Sequence, residues 1–328
     1  MVALASQDAG DAHVTVGLIT WNSERHLPSC LQSLANQTHQ NLELIVVDNG
    51  SQDHSVELVR AQAPEARVFT NSLNQGHGRA HNLAIGVSAG DYYLALMPDV
   101  RLDPEYIKRL VLSLQGRPAF GSAVGKRWQA RPMGAKVLDG TGLFIDRRRR
   151  PYLRGHGEID QGQYDKSEEV FGADGAAPLY RRKTLEDVTI FGQVFDESFF
   201  MYEEDVDLAW RARAFGWQCW YEPRATAVRD RGFRPDLERE EARELRRIAL
   251  RNRHVTILKN ESGRTFRRDW WRILFYHLRI LARVLVREPS SLGAYRSLLA
   301  NRRLVMRWRR AVQGAARVRP AYRLKWFA

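Results

Sequence analysis

The sequence predicts an α/β fold in which a mixed, largely parallel sheet carries helices on its faces and is followed by a basic helical extension. Three observations lead there. Short apolar runs rich in β-branched residues alternate with segments of helical periodicity through residues 14–115. The intervening helices are of the length that right-handed crossovers between parallel strands need. The charge is also divided: residues 1–230 hold 25 basic and 30 acidic side chains, net −5, whereas residues 231–328 hold 26 and 8, net +18.

Val14–Ile19 and Leu42–Val47 read as strands. Between them Arg25–Ala35 places Leu27, Leu31 and Leu34 on one helical face. A helix over Asp53–Ala63, a strand at Arg67–Thr70, a helix over Gly78–Ser88 and a strand at Tyr92–Leu96 continue the alternation, and a helix over Pro104–Leu114 closes it. The Gly-rich and Arg-rich stretch from Gly116 to Gly175 predicts antiparallel strands and long loops. A helix follows Tyr202 and stops at Gly216. From Leu237 onward the pattern is helical and basic. The chain therefore divides into a disordered start (1–13), two halves of one body (14–115 and 116–236) and the extension (237–328).

With 44% hydrophobic and 27% charged residues the chain is no disordered polymer. Cys30 and Cys219 are too few for a disulfide framework and fit a reducing cytosol. Met1–Ala12 shows no cationic segment followed by an apolar run, so no secretory signal is expected. No uncharged apolar stretch of roughly 18 residues predicts a membrane span. The nearest approach, Trp270–Val286, is interrupted by Arg272, Arg279 and Arg283. Its apolar stripe (Trp271, Leu274, Phe275, Leu278, Leu281, Ala282, Leu285) opposite an arginine row suits either core packing or a helix lying on an anionic surface.

Ligands of such sheets gather at the carboxyl ends of the strands, so polar residues there are the candidates. Thr20-Trp21-Asn22 ends the first strand. Asp48-Asn49-Gly50-Ser51 ends the second, where Asp48 suits a base or ribose and equally an Asx turn, with Asp53 capping the next helix. Asn74 to Asn82 is a glycine-bearing loop entering a helix, open to a phosphate but lacking a dinucleotide fingerprint. Pro98-Asp99 follows the strand Tyr92–Leu96. Glu203-Glu204-Asp205-Val206-Asp207 packs four carboxylates at a helix start behind Phe199, Phe200 and Tyr202. Four acids there suit the helix dipole, and partial burial by the aromatics would tune one of them as a base.

The ordered series Thr20-Trp21-Asn22, Val47 to Ser51, Asn74 to Asn82, Pro98-Asp99, Asp139-Gly140-Thr141-Gly142, Gly172 to Ala177 and Glu204 to Leu208 resembles the family 2 glycosyltransferases of GT-A fold, in a bacterial rhamnosyltransferase-like branch. The resemblance spans residues 14–232. It implies an inverting transfer of a hexosyl unit from a nucleotide diphosphate sugar to an acceptor hydroxyl in cell-surface glycan assembly. Residues 14–115 would then form the nucleotide-sugar half and 116–236 the acceptor and base half. It further implies Asp205 as general base beside Glu204, and Thr20, Asn22, Asp48, Asn82, Asp99 and Arg229 as donor contacts. Asp99 would hold a Mg²⁺ or Mn²⁺ ion.

Two departures bear on that ion. Met97 stands where related sequences carry Asp or Asn, and Arg229 where a His often completes the site. A thioether is a poor ligand for a hard cation, so metal dependence stays open. The expected partners are the donor, a glycan or lipid-linked acceptor and an anionic membrane surface, with the protein peripheral at the inner, cytoplasmic face. Two other classes compete: an inactive scaffold of a glycan-assembly complex, and a basic nucleic-acid binder. The acidic body argues against nucleic acid as a partner.

Overall fold

The structure, a computed structural model, describes residues 12–131, 134–231 and 239–327. The first half alternates as expected: β1 (Val14–Thr20), α1 (Leu27–Ala35), β2 (Leu42–Asp48), α2 (Ser55–Gln62), β3 (Arg67–Thr70), α3 (His77–Val87) and β4 (Tyr92–Leu96), then β5 (Val100–Leu102) and α4 (Tyr106–Gln115). The middle holds β6 (Phe120–Gln129), β7 (Leu138–Gly140), β8 (Leu143–Ile145), β9 (Pro151–Leu153), β10 (Glu168–Val170), β11 (Leu179–Arg181), α5 (Arg182–Asp187), α6 (Glu204–Phe215) and β12 (Gln218–Arg229). Four helices follow: α7 (Arg239–Asn260), α8 (Gly263–Arg287), α9 (Gly293–Ala300) and α10 (Arg302–Ala315).

The sheet runs β10-β12-β6-β11-β4-β1-β2-β3, with β5 paired to β12 and β7 to β6. Strands β1 to β4 are mutually parallel, as are β6 and β12, while β11 runs antiparallel between β4 and β6. All seven residues of β1 are buried, because helices cover both of its sides. Leu18, Leu27, Leu94, Ile107 and Leu110 fill one face, and Ile45, Val47, Ala84, Tyr93, Leu208 and Phe215 the other. Gly216 ends α6 at φ 102°, the left-handed conformation that a glycine stop requires.

Sequence periodicity gave no sign of β12. Its alternation breaks at Pro223, where the pairing with β6 shifts register between Glu222 and Thr226, as a proline that lacks a ladder donor demands. Beyond the irregularity the strand continues to Arg229, opposite Val100 of β5. That register brings Arg229 beside Asp99.

Three expectations need correction. Of the start assigned to disorder, residues 1–11 lie outside the described residues, but Ala12 is buried and its carbonyl accepts from His39 Nε2 at 2.8 Å. The run Arg147–Arg150 reads from the sequence as a solvated face, and Arg148 and Arg150 are exposed, but Arg149 is buried and ion-paired to Glu261 and Asp269, the latter at 3.0 Å, and Arg147 also meets Asp269. Burial alone would raise Asp269, yet hydrogen bonds from Arg268, Arg147 and Arg149 pull it down to about 2. Arg181 and Arg182 are likewise spent on backbone carbonyls, Phe120 O and Gly90 O among them.

The third correction concerns the extension, which does not stand apart. Its boundary at 236/237 lies outside the described residues. Trp326 and Phe327 join Phe171, Val206 and Trp210 in one buried cluster, and Trp308 and Val312 of α10 join the main core. On α7, Lys259 Nζ sits 2.7 Å from Asp196 and 3.0 Å from Asp207, all three fully or nearly buried. Asn260 Nδ2 donates to Asp207 at 2.7 Å. Burial alone would raise Asp196, but Lys259 holds it below the usual carboxylate range.

The stripe on α8 faces outward. Ile273 and Val284 point into the protein, whereas Trp270, Trp271, Leu274, Phe275, Leu278 and Leu285 are exposed. At about 100° per residue Arg268, Arg272, Arg279 and Arg283 flank that stripe rather than oppose it. No helix among the described residues is long and apolar enough to cross a membrane.

Removing Lys259 would strand two buried carboxylates. Lys259→Met should therefore lower the unfolding free energy by about 3–5 kcal/mol. Denaturant unfolding followed by circular dichroism measures this, and a loss below about 1 kcal/mol would show that the pairing does not hold α7 to α6.

Candidate functional site

The carboxyl edge of the sheet gathers most of the candidates. Thr20 and Asp48 end neighbouring parallel strands in register. Asp48 Oδ2 accepts from the amides of Gly50 (3.1 Å) and Ser51 (2.9 Å), so the Asx turn forms. Asp53 accepts from Ser55 N at 3.0 Å at the start of α2. Asn22, at φ 47°, clips the two loops together through Gln52 N (2.8 Å). Thr20 Oγ1 is buried without a hydrogen-bond partner among the described residues.

A second group is built by a strained loop. Phe200, Tyr202 and Glu203 all have φ between 64° and 71°, conformations that cost about 1–3 kcal/mol each for residues with a Cβ. The loop is held from both sides. His77 N donates to Phe200 O at 2.7 Å, and Gly76 is required there because a Cβ would lie 2.5 Å from that same oxygen. From the other side Asn252 of α7 spans the carbonyls of Phe199 (2.8 Å), Met201 (2.7 Å) and Tyr202 (2.9 Å) with its single amide group.

The loop delivers the acidic cluster to a cleft of about 700 Å³ lined in part by His77, Met97, Asp99, Asp174, Glu203, Glu204, Asp205, Arg229, Arg231 and Leu245. Leu245 belongs to α7, so the extension contributes a wall of the cleft. Asp205 Oδ2 accepts from Gly175 N at 2.9 Å, and Oδ1 from its neighbour Val206 N at 2.8 Å. Burial first, then the Glu204 and Asp174 carboxylates, push Asp205 up to about 6 against those amides. Burial pushes Glu203 up to about 8 against the pull of Arg253, with Asp205, Glu204 and Asp207 adding to the rise. Glu204 Oε1 lies 3.2 Å from His77 Nδ1. Asp207, the fourth acid, is turned away to Lys259 and Arg211 and serves as a strut.

At this cleft and in the core behind it three acids meet three arginines. Arg229 Nε donates to Asp99 Oδ2 at 3.0 Å and its Nη2 lies 2.9 Å from Met97 Sδ. Arg231 Nε donates to Asp139 Oδ1, and Arg127, fully buried, reaches Asp174 at 2.7 Å and Asp139 at 3.4 Å. The divalent ion implied by the resemblance fits this donor set poorly. One Asp99 oxygen is taken by a guanidinium, Met97 offers sulfur, and the described residues contain no group of three or more His, Cys, Asp or Glu able to hold a metal.

The structure thus brings Glu204, Asp205, Asp99 and Arg229 together, with Thr20, Asn22 and Asp48 farther along the same edge and outside the residues lining this cleft. Asn82 is not brought in. Its amide is consumed by Phe195 O (2.8 Å), Phe195 N (2.9 Å) and Glu197 (3.0 Å). Sequence reasoning missed Arg127, Arg231 and Asn252. Arg127 stands twelve residues before Asp139, and nothing local marks it or Asn252.

Comparison with known proteins agrees with the fold. Residues 15–189 match the model of the family described as Glycosyl transferase family 2. The chain is 29% identical over 235 residues to an N-acetylglucosaminyl-diphospho-decaprenol L-rhamnosyltransferase of Mycobacterium tuberculosis, covering 64% of this chain and 73% of that one. It is 28% identical over 217 residues to the succinoglycan biosynthesis protein ExoO of Rhizobium meliloti, covering 65% and 59%. Among solved structures it resembles the mannosyltransferase PcManGT of Pyrobaculum calidifontis, in complex with GDP-Man and Mn²⁺, at TM-score 0.54 and 16% identity, covering 96% of this chain and 87% of that one. It also resembles S. aureus TarS at TM-score 0.52 and 19% identity, covering 76% of this chain but only 40% of TarS. The fold is of the GT-A type, and the chain belongs to glycosyl transferase family 2.

Proposed function

We propose that the chain is an inverting glycosyltransferase that moves a hexosyl unit from a nucleotide diphosphate sugar to the hydroxyl of a lipid-linked glycan acceptor. The observation that carries this is Asp205, a carboxylate pushed up to about 6, fixed by the Gly175 amide and lining one cleft with the Asp99–Arg229 pair. Thr20, Asn22 and Asp48 lie toward the nucleoside end, the unpartnered Thr20 hydroxyl being available to it. Asp205 accepts the acceptor's proton as its oxygen attacks the anomeric carbon. The bond to the diphosphate breaks on the opposite face, and the electron pair leaves with the phosphate. Arg229 and Arg231 lie where the leaving charge develops.

The acceptor class rests on α8. An outward apolar stripe with two tryptophans and flanking arginines fits the headgroup region of an anionic bilayer, where each basic residue contributes about 1 kcal/mol. The protein is then peripheral at the inner face of the cell membrane, beside a membrane-linked acceptor.

Asp205→Asn should lower turnover by about 10² or more, because the amide keeps the shape and loses the basicity, while donor affinity stays within a few fold. Nucleotide release with candidate sugar nucleotides measures both, and near-normal turnover would remove Asp205 from this role.

The pH profile has a definite sign. The base works only when deprotonated, so kcat/KM should rise with pH through about 6 and level off above it. A profile flat from pH 5 to 8 in the wild type would contradict the assignment.

Leu274→Glu with Leu278→Glu should abolish sedimentation with phosphatidylglycerol vesicles and leave the fold intact, since both side chains are exposed. Wild-type binding should weaken with salt. If the pair of changes instead dissolves a dimer without affecting vesicle binding, the stripe is covered by a second copy.

A further inference from the structure

We infer that Arg229 takes the place of the divalent cation, so that the cleft holds the donor's diphosphate through a guanidinium and without a metal. This rests on reading the cleft as a nucleotide diphosphate site. Arg229 is largely buried and positioned by backbone on both sides: Ala130 N donates to Arg229 O at 2.8 Å and Asp230 N to Asp99 O at 2.8 Å. Of its five N–H donors, Nε is spent on Asp99 and one on Met97. Three are not used by these contacts, and Arg229 lines the cleft. A guanidinium keeps its charge at every working pH, and its fork matches two phosphate oxygens at once.

Charge bookkeeping favours the same answer. A site made of acids alone must recruit a cation before a polyanion can approach. Here Arg229 and Arg231 already line the cleft and pair with Asp99 and Asp139, and the buried Arg127 pairs with Asp139 and Asp174 behind them. A divalent ion at the other Asp99 oxygen, which has no hydrogen-bond partner among the described residues, would sit next to the Arg229 guanidinium, with a thioether as its other neighbour. Met97 and Arg229 are therefore a matched pair: the residue that cannot bind a metal touches the residue that makes one unnecessary.

The test uses the full chain and calorimetric titration with UDP, GDP and dTDP, each in EDTA and in Mn²⁺. The tightest of the three should bind with affinities that agree within about twofold in the two conditions. Arg229→Ala should weaken binding in EDTA by about 30-fold, and Arg229→Lys should recover part of that loss. Thermal melting confirms that each variant is folded. Met97→Asp combined with Arg229→His should bind only with Mn²⁺, which shows that the pocket tolerates a metal once the arginine is gone. Wild-type binding that is lost in EDTA and restored about tenfold or more by Mn²⁺ overturns the inference and leaves the donor reading standing. No binding of any nucleotide in either condition overturns both.

Discussion

A lysine ammonium buried between Asp196 and Asp207 ties this protein together. Lys259 comes from α7, Asp207 from the helix that begins at the acidic cluster, and Asp196 from the loop leading into it. The Lys259 ammonium is the counter-charge of the buried Asp196, and it shares the buried Asp207 with Arg211. The aromatic rings of Phe199 and Trp308 lie 4.8 Å and 4.2 Å from the same ammonium and close the site from water. With α7 fixed in this way, Asn252 is carried to the three carbonyls of the strained loop. The placement of Asp205 is thus a consequence of contacts made far from the cleft.

The first half of the fold was legible because its signals are local. Apolar runs, helical spacing and turn residues reproduced β1 to β4 and their helices to within a few residues. The candidate site was legible in part for the same reason: Asp99, Glu204 and Asp205 stand at element boundaries that periodicity locates. What could not be read depends on pairings across long separations. Arg229 meets Asp99 at a distance of 130 residues in sequence, and Asn252 meets Tyr202 at 50. The resemblance implied Asn82 as a donor contact, but its amide is satisfied by the backbone of Phe195 and by Glu197, which no local pattern announces.

Net charge was the most misleading signal. A surplus of +18 in the last third invited the picture of a basic extension following the body. Some of that charge is spent inside the fold: Lys259 on two acids, Arg251 on Ser198 O and Arg323 on Val318 O. The acidic surplus of the body is the complement of that extension, since Asp196 and Asp207 belong to one and their partner to the other. What is left facing outward is spread over α8 and α10, and on α8 arginines border an apolar stripe.

The closing contact between Phe327 and Trp210, with ring centres 5.4 Å apart, has a consequence for biosynthesis. Trp210 lies on the helix that starts at the acidic cluster, and its aromatic neighbour is made about 120 residues later. While the chain is still emerging from the ribosome, that helix has neither Lys259 nor Phe327 to pack against. The parallel half of the sheet, with its local contacts, is complete much earlier. The carboxyl edge of the parallel strands is therefore able to form during synthesis, whereas Asp205 is set in place only after α7, α10 and Phe327 have been released, so the cleft is completed in two stages.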